Sequence, residues 1–110
     1  MTKKEMLEKM IEDTEEEIQK NELKIAKFNE RYEGCISEDA LIMKKGRIYQ
    51  KHINKSENKA ARDAVISRVI LRDIDLFARL EELKDFEAMK ICLEASKELL
   101  EELKEMRKLL

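Results

Sequence analysis

Few residues of this chain carry the side chains that catalysis or metal binding needs. Its 110 residues include one histidine, His52, and two cysteines, Cys35 and Cys92. A general base needs a neighbour that orients it and a pocket that shifts its pKa, and no Ser-His-Asp or Cys-His arrangement follows from the spacing. A zinc site built from these three residues would lack a fourth ligand. We therefore predict no enzymatic activity, no cofactor and no metal site; a small helical enzyme or metal sensor is the alternative class.

The histidine and the cysteines have simpler structural interpretations. His52 is expected at the surface or at its boundary, and each cysteine is expected to be a small apolar filler. The sparse cysteines form no CxxC motif, which suits two reduced thiols in a reducing compartment. The N-terminus lacks the apolar stretch of a signal peptide, and no run approaches the ~20 apolar residues of a membrane span. These features predict a cytoplasmic protein.

Carboxylates are concentrated early in the chain. Five of them form an acidic run: Glu12, Asp13, Glu15, Glu16 and Glu17. Helical di-iron sites combine glutamates with Glu-x-x-His motifs on two helices, but the position three residues before His52 is Tyr49. The run is therefore interpreted as a solvated face, and it is a candidate docking face for a basic partner.

Charge is segregated along the chain, although the net charge is only −2. The net charge is −5 over residues 1–43, +7 over residues 44–72 and −4 over residues 73–110. We call residues 44–72 the basic segment. On one continuous helical wheel, six of its cations share a side: Lys44, Arg47, Lys51, Lys55, Lys59 and Arg62. Apolar residues lie opposite them, which is typical of a basic amphipathic helix.

The basic segment has three interpretations. It could bind nucleic-acid phosphates with a salt-dependent affinity, bind an acidic surface of another protein, or pack against the chain's own acidic helices. No zinc finger, RNP aromatic pair or other base-reading motif accompanies it. A membrane surface is disfavoured, because interfacial helices usually present more Trp, Phe and Leu than this apolar side does.

The elements that must position these residues are helices, since the chain has no proline and two glycines. A first helix over residues 3–32 follows from a capping box at Thr2 and Glu5, and Gly34 is placed to end it. Its apolar positions recur every 3.5 residues, as in a coiled coil. The seam is Leu7, Ile11, Thr14, Ile18, Asn21, Ile25, Phe28 and Tyr32.

The middle of the chain is predicted to contain a second helix over residues 37–54, capped by Ser37. It must pass through Gly46, at a cost of about 1 kcal/mol relative to alanine. The alternative is a short hairpin over residues 41–49, although isolated short hairpins are marginally stable. A corner is expected over residues 54–57, where Asn54 or Ser56 could cap the next helix.

The last part of the chain has neither glycine nor proline from Glu57 onwards. A single helix there would be ~80 Å long, so we favour a break near residues 72–75 or at residues 84–85, giving helices over 57–84 and 86–110. A continuous helix is the alternative. Apolar residues are dense over residues 65–77, which predicts the centre of the core. The final seam is Phe86, Met89, Leu93, Ser96, Leu100, Leu103, Arg107 and Leu110.

These patterns predict one all-α domain, a three- or four-helix bundle with coiled-coil-like heptad seams in its first and last helices. Those helices should pack antiparallel, within one chain or between two chains of a homodimer. The function we expect is that of a non-enzymatic protein–protein interaction module, such as an adaptor, an assembly factor or a small inhibitor, docking through charged helical faces. The alternative is a nucleic-acid-binding accessory protein that uses the basic segment. No small-molecule substrate is expected.

Overall fold

The computed structural model describes residues 1–110 and consists of four α-helices without strands. They are α1 (Lys3–Tyr32), α2 (Glu38–Lys55), α3 (Lys59–Arg72) and α4 (Ile74–Lys108). The predicted all-α bundle is therefore confirmed. No helix is both long enough and apolar enough to cross a membrane.

Each helix begins beside a side chain that accepts a hydrogen bond from the backbone of the first turn. Thr2 caps α1 by accepting from the Glu5 N–H at 3.1 Å, and Ser37 caps α2, both as predicted. The cap of α3 is Asn58 rather than Asn54 or Ser56. After α1, Gly34 adopts a φ of +69°, the left-handed conformation for which glycine is suited.

The helix break after residue 56 falls at one of the two places predicted, within residues 72–75, although the helix bounds differ from those predicted. The break falls at Asp73, and α4 runs without interruption through Lys84 and Asp85, so helices over 57–84 and 86–110 are wrong. The Asp73 carboxylate explains the break, because it accepts from the Leu76 N–H and pairs with Lys45 at 3.0 Å. Asp85 is exposed within α4, and no backbone breaker accompanies it.

Gly46 lies inside α2, so the alternative hairpin is wrong. A Cβ atom at this position would lie 3.2 Å from the Arg79 Cβ and 3.5 Å from a Leu83 methyl on α4. The glycine thus allows α2 to approach α4 closely. This approach explains why a residue of low helix propensity occupies the middle of the helix.

The chain divides into two compact units. Unit 1 comprises Met1–Lys27 and Ala88–Leu110, and unit 2 comprises Phe28–Glu87. The single domain predicted from the sequence stays a prediction.

In unit 1, α1 and α4 form an antiparallel pair. Leu7 and Ile11 are buried against Leu103, with Leu100 partly buried beside them. The α1 seam positions are buried or half-buried throughout, but Arg107 and Leu110 of the α4 seam are exposed. The heptad packing of a coiled coil stays a prediction.

Unit 2 combines α2 and α3 with the adjoining ends of α1 and α4. One buried cluster consists of Tyr32, Ala40, Met43 and Leu83, and a second consists of Ile53, Val69, Leu76 and Leu80. Phe28 and Phe86 stack with their ring centroids 4.0 Å apart. The first cluster therefore joins α1, α2 and α4, and the second joins α2, α3 and α4.

The apolar stretch over residues 65–77 is only partly in this core. Val69 and Leu76 are buried, whereas Ile70, Leu71 and Ile74 are exposed, Leu71 to 86%. The prediction that the whole stretch is central is therefore wrong. The buried residues of this stretch face the cluster shared with α2 and α4, and no other element covers the opposite side of α3.

Asn21 is a buried polar residue in the α1 seam, and its Nδ2 has no hydrogen-bond partner. An unpaired buried donor destabilises a fold by about 1–3 kcal/mol. We expect Asn21→Leu to raise the free energy of unfolding by about 1–2 kcal/mol in urea denaturation. Thr14→Val is the control, because the Thr14 hydroxyl already donates to the Met10 carbonyl at 2.7 Å. A loss of stability in Asn21→Leu would contradict this account.

Candidate functional site

The residues considered for catalysis or metal binding do not come together. His52 is exposed, as predicted. Cys35 and Cys92 are also exposed, so their interpretation as apolar filler is wrong. Cys35 lies in the loop between α1 and α2, and Cys92 lies on a face of α4 that no other helix covers. No group of three or more His, Cys, Asp or Glu side chains is arranged to hold a metal ion.

The predicted basic face is divided between two helices. Residues 56–58 separate α2 from α3, so Lys44, Arg47, Lys51 and Lys55 lie on α2, and Lys59 and Arg62 lie on α3. The helix break at residues 56–58 lies close to the corner expected over residues 54–57, and the continuous helical wheel that gave the basic face is wrong. The positive net charge of residues 44–72 does not depend on that wheel, so the basic segment remains a candidate binding surface.

Most cations of the basic segment have no partner within the chain. Lys45 pairs with Asp73 at 3.0 Å, Arg47 pairs with Glu33 at 3.2 Å, and Arg62 donates to the Ser56 carbonyl. The other six are exposed and make no ion pair or side-chain hydrogen bond: Lys44, Lys51, Lys55, Lys59, Arg68 and Arg72. For these six cations, the interpretation in which the segment packs against the chain's own acidic helices is wrong; it holds in part for Lys45 and Arg47.

Two of these unpaired cations line a cleft between α2 and α3, which we call the arginine cleft. Arg68 and Arg72 are one helical turn apart on α3, and Lys45 and Tyr49 contribute from α2. The apolar part of the lining consists of Val65, Val69 and Leu76. The cleft has a volume of ≈ 430 Å³, which is within the range of sites that hold a side chain or a small ligand.

The one carboxylate of the arginine cleft already has partners. The pKa of Asp73 is lowered, first by the hydrogen bond that its carboxylate accepts from the Leu76 N–H and then by Lys45. The pKa of Lys45 is raised by the same ion pair. Asp73 and Lys45 thus neutralise each other, and the two arginines leave the cleft with an uncompensated positive charge.

This arrangement can bind a carboxylate or phosphate next to an apolar group. Each guanidinium offers a planar set of donors that fits an oxyanion, and the Tyr49 hydroxyl can add a hydrogen bond. The basic face predicted from the sequence did not include Arg68, Arg72 or Tyr49, because it assumed one continuous helix over residues 44–62. The i, i+4 spacing of the two arginines was the available signal.

A second group of charged side chains is an internal network of unit 2. Arg79 donates to Asp39 at 2.6 Å and to the Tyr32 hydroxyl at 2.9 Å, and it pairs with Glu82 at 3.0 Å. The Arg79 side chain is only 15% exposed. This network connects α1, α2 and α4, while the buried Arg79 Nε has no hydrogen-bond partner.

Tyr32 makes the stability of unit 2 sensitive to high pH. Burial, together with the hydrogen bond that its hydroxyl donates to Glu82 at 2.7 Å, raises the pKa of Tyr32 from 10.0 to about 12. A phenol with a raised pKa stabilises the fold below pH ~10, and this contribution disappears as the pH rises through 12. We expect the free energy of unfolding to fall by on the order of 2 kcal/mol over this interval.

Urea denaturation between pH 9 and 12 checks this expectation. The decrease should be absent in Tyr32→Phe and retained in the control Tyr49→Phe, because Tyr49 lies outside the network. An unchanged pH dependence in Tyr32→Phe would contradict the assignment.

The candidate acidic docking face is exposed to solvent. Glu12, Asp13, Glu15, Glu16 and Glu17 are all exposed on α1, and none of them forms an ion pair. Glu12, Glu15 and Glu16 line a shallow cleft with Arg107 of α4. Its role as a docking face stays a prediction.

No protein-family model, curated protein or solved structure matches this chain.

Proposed function

We propose that this chain is a non-enzymatic protein-interaction module that binds an acidic segment of another protein in the arginine cleft. The observation that carries the proposal is the pair of unpaired arginines, Arg68 and Arg72, beside an apolar lining. Charge-assisted hydrogen bonds to a carboxylate contribute about 1.5–3 kcal/mol each when they are well formed. An acidic side chain would bind the arginines, and a neighbouring apolar side chain would contact Val65 and Val69.

The surroundings of the cleft favour a protein partner. Leu71, next to Arg72 in sequence, is a large apolar residue exposed to solvent, and Ile70 and Ile74 add further exposed apolar surface on the same segment. Protein interfaces combine arginine with apolar anchors at their centres.

Nucleic-acid binding is the second candidate function. The observation in its favour is the set of six unpaired cations spread over α2 and α3, which would suit a phosphate backbone. Within the cleft, however, the lining is apolar in part and includes Asp73, and only one aromatic side chain, that of Tyr49, is available to stack on a base. The two candidates predict different patterns of mutational sensitivity.

Matched charge reversals separate these candidates. The first variant is Arg68→Glu with Arg72→Glu, inside the cleft, and the control is Lys51→Glu with Lys55→Glu, which makes the same charge change on the same segment outside the cleft. All four residues are exposed, so both variants should fold, and circular dichroism would verify this.

The probes are a fluorescent peptide of alternating Glu and Leu and a duplex DNA of random sequence. We expect the first variant to weaken peptide binding at least roughly tenfold and the control to weaken it less than about threefold. DNA that binds more tightly than the peptide, loses affinity steeply between roughly 50 and 200 mM salt and responds equally to both variants would instead establish the second candidate.

A further inference from the structure

Unit 1 carries an open groove between the N-terminal turns of α1 and the C-terminal turns of α4, which we call the methionine groove. It has a volume of ≈ 470 Å³, and Lys3 is the one charged residue in its lining. Met6, Met10 and Met106 are each about half exposed along it, at 53%, 46% and 54%. Contiguous exposed apolar surface of this kind is typical of sites that bind another surface.

The lining of the groove is apolar enough to suit a second copy. Its exposed apolar residues are Met6, Met10, Met106, Leu109 and Leu110, and each is at least 46% exposed. Symmetric homodimers are also the commonest oligomers, and their interfaces are more apolar than those between unlike proteins.

We propose that the methionine groove is the interface of a homodimer, in which α1 of one copy lies antiparallel to α1 of the other. The two-fold axis of this dimer is perpendicular to α1 and crosses it midway between Met6 and Met10. Met6 then faces Met10 of the second copy, and each groove covers the other. This surface is separate from the arginine cleft, which lies in unit 2.

The charges on α1 support this arrangement and fix its direction. The same axis brings Lys3 opposite Asp13 of the second copy, so the dimer contains two such pairs. Both residues are exposed, and neither forms an ion pair within its own chain. Lys3, Met6, Met10 and Asp13 lie on one side of α1, because they are separated by steps of three or four residues.

The same axis also pairs exposed residues of α4. Because Leu7 and Ile11 both pack on Leu103, the axis crosses α4 close to residue 104. Leu99 then lies opposite Leu109 of the second copy. These two leucines are 45% and 86% exposed in the single chain, so the dimer covers apolar surface on both helices.

The first test is the mass of the protein in solution, measured by light scattering from low micromolar to several hundred micromolar concentration. We expect twice the chain mass of 13.1 kDa for the native sequence and the monomer mass for Met6→Lys with Met106→Lys. The control Leu71→Lys introduces charge at an exposed apolar residue of α3 and should remain dimeric. A monomeric native chain, whether free or bound to an unlike partner at the groove, would overturn the proposal.

The second test is a charge swap that only this antiparallel arrangement predicts. Lys3→Asp and Asp13→Lys should each raise the dimer dissociation constant roughly threefold to tenfold, because each places like charges opposite one another twice. The double variant Lys3→Asp with Asp13→Lys restores opposite charges and should recover the native dissociation constant. Failure of the double variant to recover would overturn the arrangement, even if the protein is dimeric.

Discussion

Leu76→Ala should lower the free energy of unfolding by about 3–4 kcal/mol, the largest effect that we expect from a single substitution in this protein. Leu76 is 2% exposed and packs with Ile53, Val69 and Leu80 in unit 2. It also lies beside Gly46, where α2 approaches α4. Truncation would leave a cavity at this junction, which the tightly packed helices could fill only in part. Equilibrium urea denaturation measures the effect.

Leu71→Ala is the matched control, because it removes the same atoms from the same apolar stretch of the sequence. Leu71 is 86% exposed, so this variant should change the free energy of unfolding by less than ~0.5 kcal/mol. The sequence pattern alone would place both leucines in the core. Similar losses in the two variants would show that α3 is covered on the side that the structure leaves open.

The second large effect concerns Arg79, the central donor of the network between α1, α2 and α4. We expect Arg79→Ala to destabilise the protein by about 2–4 kcal/mol, because it leaves Glu82 without its cation in a partly buried environment and leaves Asp39 paired with the exposed Arg31 alone. The Tyr32 hydroxyl would also lose a donor. Urea denaturation at neutral pH measures this change.

Arg31→Ala is the matched control, because it removes an exposed ion pair to the same carboxylate. Arg31 also pairs with Asp39 at 2.6 Å, but its side chain is 55% exposed. Exposed pairs contribute about 0–1 kcal/mol, so this variant should have a much smaller effect than Arg79→Ala. Equal losses of stability in Arg31→Ala and Arg79→Ala would mean that the burial of the Arg79 side chain contributes nothing to the stability of unit 2.

The fold was largely predictable, because the sequence features that specify its helices act over short distances along the chain. The capping residues Thr2 and Ser37, the glycine after α1 and the 3.5-residue spacing each act within a few positions of the chain. The break between α3 and α4 was harder to place, because several aspartates could cap a helix. Asp73 is distinguished by its tertiary ion pair with Lys45, which sequence spacing does not reveal.

The candidate site was predictable only as a region. The charge count identified residues 44–72, but the arginine cleft depends on the corner at residues 56–58, which places α3 beside α2. The exposure of Leu71 was likewise unpredictable. A dense apolar stretch indicates that its residues are buried, but it does not show whether the fold contains enough neighbouring helices to bury all of them. The exposure of Cys92 on α4 follows from the same shortage of covering elements.

Affinity capture with three baits, each with and without nuclease, tests the proposed function most directly. The baits are the native sequence, the cleft variant Arg68→Glu with Arg72→Glu, and the control variant Lys51→Glu with Lys55→Glu. We predict a protein partner that withstands nuclease, remains bound to the control variant and is lost from the cleft variant. Capture that disappears with nuclease, or falls equally in both variants, would contradict the assignment of the arginine cleft as a protein-binding site.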